Sequence, residues 1–174
     1  MGKMIVIPMA GASSRFYKVG YKVPKYELIV KNRTLLDLTI SSFNNYFASE
    51  FFLFVARSEA RDFLQRELRK LPILNYEVVY LDHETRGQAE TVFLGLRGCK
   101  FEKDENLTIF NIDTIRWDFV YPSWIKECDG YLEVFRGSGS NWSYVKPGEG
   151  RGVLQTTEKV PISNLCCTGL YYFA

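Results

Sequence analysis

The sequence predicts an α/β domain with a mainly parallel sheet, and three observations predict it. Residues 4–8 form a continuous apolar run that stops at a small-residue turn, as a strand buried on both faces does before a functional loop. Apolar runs of strand length at 51–56, 76–81 and 107–112 alternate with stretches of helical period, and that alternation yields parallel strands joined by right-handed crossovers. Beyond Asp113 the long helical stretches stop and short strand-like segments follow one another, so the second half is predicted to be β-rich.

In chain order, 34–47 reads as an amphipathic helix capped by Thr34, with Leu35, Leu38, Ser42 and Phe43 on one side. A buried strand follows at 51–56. Residues 58–71 carry Phe63, Leu64, Leu68 and Leu71 at helical spacing, with Ser58 as the cap and Pro72 just past the end. A strand at 76–81, a helix at 87–96 through Ala89, Val92, Phe93 and Leu96, and a strand at 107–112 complete the first half. The later strands are predicted at 130–135, 142–146, 152–157 and 168–173, with a Gly-Ser-Gly-Ser loop at 136–141.

A length of 174 residues suits one domain, 1–174, able to bury a core without disulfides. The last predicted strand runs into Ala174 with no turn or cap after it, so a domain lacking its C-terminal part is expected. Lysine plus arginine number 22 against 20 aspartate plus glutamate, which excludes the whole-surface field that drives nonspecific nucleic-acid or membrane binding. Any anion site must be local. Cys99, Cys128, Cys166 and Cys167 show no C-x-x-C spacing, and they read as reduced thiols of a cytoplasmic protein. Residues 1–12 read as a buried first strand and not a secretory signal, because Pro8 and Gly11 interrupt the apolar stretch. A myristoylation pattern at Gly2 fails at Val6. No apolar run approaches the length of a membrane-spanning helix.

The candidate chemistry begins where the first strand ends, in Ala10, Gly11, Ala12, Ser13, Ser14 and Arg15, followed by Pro24-Lys25. Small residues let a backbone approach a ligand, and successive N–H groups in such a turn form an anion-binding nest at the sheet edge. Arg15 offers a planar fork for phosphate oxygens and Lys25 a compact second charge. The plainer alternative is a tight turn flanked by two solvated cations. The loop is neither a Walker loop nor a G-x-G-x-x-G fingerprint.

Position by position, this segment resembles the signature of nucleotidylyltransferases acting on sugar phosphates, a loop of the form A-G-x-G-S-R followed by Pro-Lys. Ser13 stands where that family usually has glycine. The resemblance continues in order through Glu84-Thr85-Arg86-Gly87-Gln88-Ala89, similar to the base-recognition turn, and Asn111-Ile112-Asp113, similar to the strand end that carries the metal-binding aspartate. Gly152-Val153, Glu158-Lys159 and Thr168-Gly169 resemble the sugar-phosphate side.

The resemblance implies a Rossmann-like three-layer α/β/α fold and transfer of a nucleoside monophosphate from a triphosphate to a sugar phosphate or similar metabolite, with release of pyrophosphate, in cell-surface (capsular) polysaccharide synthesis. It implies Arg15, Lys25 and Asp113 as catalytic residues, with Asp113 holding Mg²⁺. Nucleotide contacts are expected from Ala10, Gly11, Ala12, Ser13, Ser14, Asp82, Gly87 and Gln88, and acceptor contacts from Gly152, Glu158 and Lys159. The partners are a nucleoside triphosphate and a phosphorylated small molecule, with no nucleic acid and no membrane; homo-oligomerisation is left open. A carboxylate accepts from the exocyclic amine of cytosine, so Asp82 beside His83 points to CTP. A metal-dependent glycosyltransferase and a noncatalytic nucleotide-binding module fit parts of the same pattern.

Overall fold

The computed structural model describes residues 3–100 and 106–174, so Met1 and Gly2 of the N-terminal stretch, with the myristoylation position, lie outside the described residues. In chain order the strands are β1 (Lys3–Pro8), β2 (Ile29–Val30), β3 (Arg33–Thr34), β4 (Phe51–Arg57), β5 (Asn75–Leu81), β6 (Asn106–Phe110), β7 (Gly130–Arg136), β8 (Ser143–Pro147), β9 (Val153–Glu158) and β10 (Leu165–Phe173). The α-helices are α1 (Ser14–Lys18), α2 (Leu35–Ile40), α3 (Arg61–Leu68) and α4 (Gln88–Gly98).

Eight strands form one sheet of order β5-β4-β1-β6-β10-β8-β9, with β7 on the other edge of β10, while β2 and β3 make a separate small hairpin. The β5, β4, β1 and β6 pairings are parallel. β10 joins β6, β7 and β8 antiparallel, and β9 joins β8 the same way. The sheet is thus parallel in the first half of the chain and antiparallel in the second, where no long helices intervene.

Side chains alternate across the pleat and build a core on each face. Ile5, Ile7, Phe52 and Phe54 meet Leu36, Ile40, Phe63 and Leu64 of α2 and α3 on one face. Met4, Val6, Leu53 and Val55 meet Val92 of α4 on the other. Helices therefore cover both faces, the three-layer α/β/α arrangement that the sequence predicts.

Local rules decide some boundaries and packing overrides others. Thr34 caps α2 as expected, its hydroxyl accepting from Asp37 N at 3.1 Å. The α-helix stops at Ile40, and a 3₁₀ segment, Ser41–Tyr46, replaces the predicted continuation to Phe47. Phe43 breaks it at φ −105° and ψ 25°. That bend seats the ring, fully buried, edge-on to Phe110 and Phe119 at 4.9 and 5.2 Å. Fully buried Leu36 and Ile40 carry the inner face of α2 in place of Leu35. Ser58 is not the cap of α3: its hydroxyl meets Asp82 Oδ1 at 2.5 Å, and the helix starts at Arg61 after a 3₁₀ turn. In α4, Phe93 faces solvent, and Thr91, Val92 and Gly95 are buried. No helix among the described residues is long and apolar enough to cross a membrane, and all four cysteines are free.

Two predictions follow from this packing. A Cβ on Gly95 would stand 2.2 Å from Val55 Cγ2, so overpacking outweighs the helix preference of alanine. Gly95→Ala lowers the unfolding free energy by about 1–3 kcal/mol, and Val55→Ala in the same chain recovers part of that loss in a double-mutant cycle. Asp37 receives a two-pronged contact from Arg33, both N···O distances being 2.7 Å. The hydrogen bonds from that guanidinium hold its carboxyl below the usual carboxylate range. A carboxyl depressed on folding stabilises fully above its unfolded value, and the contribution is lost as pH falls through the folded value. Asp37→Asn therefore costs about 0.5–1 kcal/mol at neutral pH, and the gap to wild type closes in urea titrations as pH drops below the carboxylate range.

Candidate active site

From β1 the chain runs through α2 to β4 on one side, and from α4 it returns to β6 on the other side of β1. The strand order reverses between β1 and β6. In open α/β sheets the crevice outside the strand carboxyl ends at such a reversal is where ligands bind. Two adjoining clefts open there, of about 270 and 650 Å³, and Gly11, Arg15, Lys25, Gln88, Asn111 and Asp113 line both.

Arg15 comes from α1, Gln88 from the start of α4, Lys25 from a 3₁₀ turn, and Asn111 and Asp113 from just past the end of β6. Lys25 opens a 3₁₀ turn after Pro24, and its N–H donates to Ser13 Oγ at 3.2 Å. Its ammonium meets Asp113 Oδ2 at 2.8 Å, with side-chain exposures of 23% and 41%. Asp113 follows β6, and the preceding carbonyl, of Ile112, accepts the buried Thr39 hydroxyl at 2.9 Å, which ties this strand end to α2. Arg15 is exposed and makes no ion pair with the described residues.

The smaller cleft continues along Pro8, Met9, Ala10, Thr85, Gly87 and Thr91. Thr91 Oγ1 donates to Gly87 O at 3.1 Å and lies 2.6 Å from Thr85 Oγ1, which holds the turn ahead of α4. No described atom comes within 4 Å of where a Cβ would stand on Gly87. Gln88 Nε2 donates to Asn111 Oδ1 at 2.5 Å.

The larger cleft continues along Ser13, Ser14, Phe16, Thr114, Asn141, Trp142, Ser143, Glu158, Cys167, Thr168 and Tyr171. The Ser143 hydroxyl, at 2.5 Å, and the Lys159 ammonium, at 3.0 Å, hold the Glu158 carboxyl below its ordinary range. Burial pushes Tyr171 up to about 12 and raises the Cys167 thiol. Both stay protonated at neutral pH, so neither supplies an anionic nucleophile. What the cleft's charged and polar side chains offer a ligand is charge placement and hydrogen bonding.

Of the residues singled out in the sequence, Ala10, Gly11, Ser13, Ser14, Arg15, Lys25, Gly87, Gln88, Asp113 and Glu158 line the clefts. Four others lie outside them. Ala12 is exposed on the loop. Asp82 sits at the end of β5 and engages Ser58. Gly152 lies in the β8–β9 turn, its N–H donating to Glu149 O at 2.9 Å. Lys159, at φ 60°, reaches Glu158 from beyond the rim. His83 is exposed and lines neither cleft, while Trp142 lines the larger one, edge-on to Phe135 at 4.9 Å. Phe16, Thr114 and Tyr171 are wall residues that sequence reasoning missed; Phe16 adjoins Arg15 in α1, while Thr114 and Tyr171 enter through tertiary pairing.

Asp113 is the carboxylate available for a cation beside Arg15 and Lys25. Among the described residues no group of three or more His, Cys, Asp or Glu could form a cage. One carboxylate in an open cleft fits Mg²⁺, which is held by one or two carboxylates with phosphate oxygens and water completing the shell.

Ser13 adopts φ 52° and ψ 24°, the left-handed region that glycine enters freely. Its residue type therefore costs strain of about 1 kcal/mol, offset by the bond from Lys25 N, about 1 kcal/mol. Ser13→Gly should leave the unfolding free energy nearly unchanged, whereas Ser13→Ala keeps the strain and loses the bond, lowering it by about 1 kcal/mol in denaturant titrations.

No protein-family model matches the sequence, and no curated protein sequence does. Among solved structures, the nucleoside-diphosphate-sugar pyrophosphorylase of Vibrio cholerae RC9 is 49% identical, with a TM-score of 0.91 over 98% of this chain and 72% of that one. The inositol-1-phosphate CTP transferase of T. maritima is 22% identical, covers 100% of this chain and 71% of its own, and has a TM-score of 0.76. A UDP-glucose pyrophosphorylase complexed with UDP-glucose is 16% identical, covering 99% and 76% at the same TM-score. The last two share the fold. The crevice between β1 and β6 and the near-half identity to the Vibrio protein lead to one assignment: the chain is a nucleotidyltransferase and belongs to the sugar-phosphate nucleotidylyltransferases, the family of the nucleoside-diphosphate-sugar pyrophosphorylases.

Proposed function

We propose that this chain transfers a nucleoside monophosphate from a triphosphate to a phosphorylated small molecule, a sugar phosphate by the family's habit, and releases pyrophosphate. The observation that carries the reading is the meeting of Arg15, Lys25 and Asp113 in the crevice between the ends of β1 and β6. The smaller cleft is the nucleotide side and the larger one the acceptor side.

An acceptor phosphate oxygen attacks the α-phosphorus, the new P–O bond forms, and the bond to the β-phosphate bridging oxygen breaks in line, so pyrophosphate leaves with that electron pair. The attacking phosphate is already ionised at neutral pH, and no general base is required. Arg15 and the N–H groups of loop 10–15 neutralise the departing pyrophosphate, and Lys25 faces the α-phosphate. Asp113 would hold Mg²⁺, which when bound supplies charge neutralisation at the phosphates. Gly87 and Gln88 border the base, with Glu158 turned to the acceptor. Ala12 and Ser14 extend the phosphate loop, Lys159 neutralises Glu158 at the rim, and Gly152 shapes the hairpin behind it. The finer reading takes CTP as donor, through Asp82 at the end of β5, in the cytoplasm and in the service of cell-surface polysaccharide. Four free thiols suit a reducing compartment.

Thermal midpoints in CTP, UTP, dTTP, ATP and GTP test the donor, since a ligand bound at a hundred times its Kd adds about 2.7 kcal/mol to stability. CTP should give the largest shift; a larger shift with another triphosphate sinks the CTP reading alone. Pyrophosphate release with Mg²⁺ and a panel of sugar 1-phosphates should fall about a hundredfold or more in Lys25→Ala and Asp113→Ala. Without Mg²⁺, Asp113→Ala should bind triphosphate at least as tightly as wild type, because a carboxylate beside the phosphates is gone. Adding Mg²⁺ should then strengthen only the wild type. A variant that keeps the Mg²⁺ gain would remove Asp113 from the metal-binding role.

A further inference from the structure

Thr168 lies on the wall of the larger cleft and is gripped from two directions. Its carbonyl accepts the Thr114 hydroxyl at 2.7 Å. Its own hydroxyl donates to Glu133 Oε2 at 2.8 Å. Glu133 comes from the neighbouring strand β7, and only 12% of its side chain is exposed. Arg116 closes the row: Nη2 and Nε approach the other carboxylate oxygen, Oε1, at 2.9 and 3.0 Å. Arg116 is in turn anchored by its backbone N–H, which donates to Ser42 Oγ at 2.9 Å.

A hydroxyl has one proton and two acceptor lone pairs. The Thr168 proton is committed to an ionised partner, and a hydrogen bond to a carboxylate is stronger than one between neutral groups. What the Thr168 hydroxyl can still offer is an acceptor. The local backbone fixes where that acceptor stands, because the β10 pairing with β7 shifts register between Cys167 and Tyr171 around Gly169 at φ 99°.

We infer that Glu133, braced by Arg116, is a positioning residue that turns Thr168 into an acceptor-only group, so that the acceptor half of the cleft selects phosphorylated substrates carrying a hydroxyl or ammonium donor at that point. The inference rests on the nucleotidyl-transfer reading for the identity of the substrate. It does not rest on turnover for its proof, since recognition of the acceptor is a binding property.

The test uses α-D-glucose 1-phosphate and its four monodeoxyfluoro analogues as probes, with calorimetric binding measured beside pyrophosphate release. Fluorine replaces a donor by a group that cannot donate. Wild type should lose about tenfold in affinity for one of the four analogues. Thr168→Val should bind glucose 1-phosphate about tenfold more weakly than wild type and no longer distinguish that analogue. Thr168→Ser should restore both properties, and Glu133→Gln should raise the KM for the acceptor severalfold while leaving the KM for the triphosphate and kcat in place.

Equal binding of all five probes by wild type, or unchanged discrimination in Thr168→Val, overturns the inference. So does a Glu133→Gln variant whose melting point falls while the acceptor KM stays put, because that marks a structural ion pair. Binding that depends on Thr168 without any pyrophosphate release would leave the inference standing and sink the transferase reading. Pyrophosphate release with no dependence on Thr168 would do the reverse.

Discussion

The pairing of β1 on both edges is the constraint from which the rest of the molecule follows. β4 and β6 run parallel to it on either side, which leaves Met4, Ile5, Val6 and Ile7 buried. A strand enclosed in this way has no polar face to spare, and its chain can leave the sheet only at its end. That end must therefore be a loop in the crevice, next to the end of β6. Small residues in the loop keep its N–H groups open to a ligand, and the same geometry sets Asp113 opposite Lys25.

The Lys25–Asp113 contact has two consequences that pull in different directions. It closes the loop 8–25 onto β6, so two segments 88 positions apart share one wall. It also leaves Lys25 neutralised until something more anionic or more cationic arrives. In the proposed reaction, triphosphate oxygens would compete for the ammonium and a divalent cation for the carboxylate. On that reading, binding both partners would exchange one ion pair for two sets of contacts at partly exposed positions, where the desolvation cost is modest. On the proposed reading, the ion pair holds both charges in the crevice before a ligand enters.

Much of this was legible in the sequence because it is local. The apolar runs at 4–8 and 51–56 have no alternation, and only a strand covered on both faces tolerates that. The family resemblance at Ala10–Arg15 and Pro24-Lys25 is readable for the same reason, since its residues are consecutive within each short segment. What could not be read was set by contacts distant in sequence. Phe43 ends α2 early because its ring fills a space among Phe52, Phe110 and Phe119. Ser58 has the composition of a cap and serves Asp82 instead. The Gly-Ser-rich stretch at 136–141 is a loop by composition, and it brings Asn141 and Trp142 to the cleft. The Arg116–Glu133–Thr168 row joins three segments, and no spacing in the chain announces it.

One glycine shows how the two halves of the site are kept in register. A Cβ on Gly169 would stand 2.6–2.8 Å from the side-chain atoms of Asn111. With none there, Asn111 N donates to Gly169 O at 2.9 Å, and its carboxamide oxygen remains free to accept from Gln88 at 2.5 Å. Asn111 thus lies between the bulge of β10, which carries Thr168, and the first residue of α4, which borders the smaller cleft. Moving that bulge would move Asn111 and with it Gln88, so the walls of the larger and the smaller cleft share a support at a single residue. The antiparallel second half therefore supports the smaller cleft as well as the larger one.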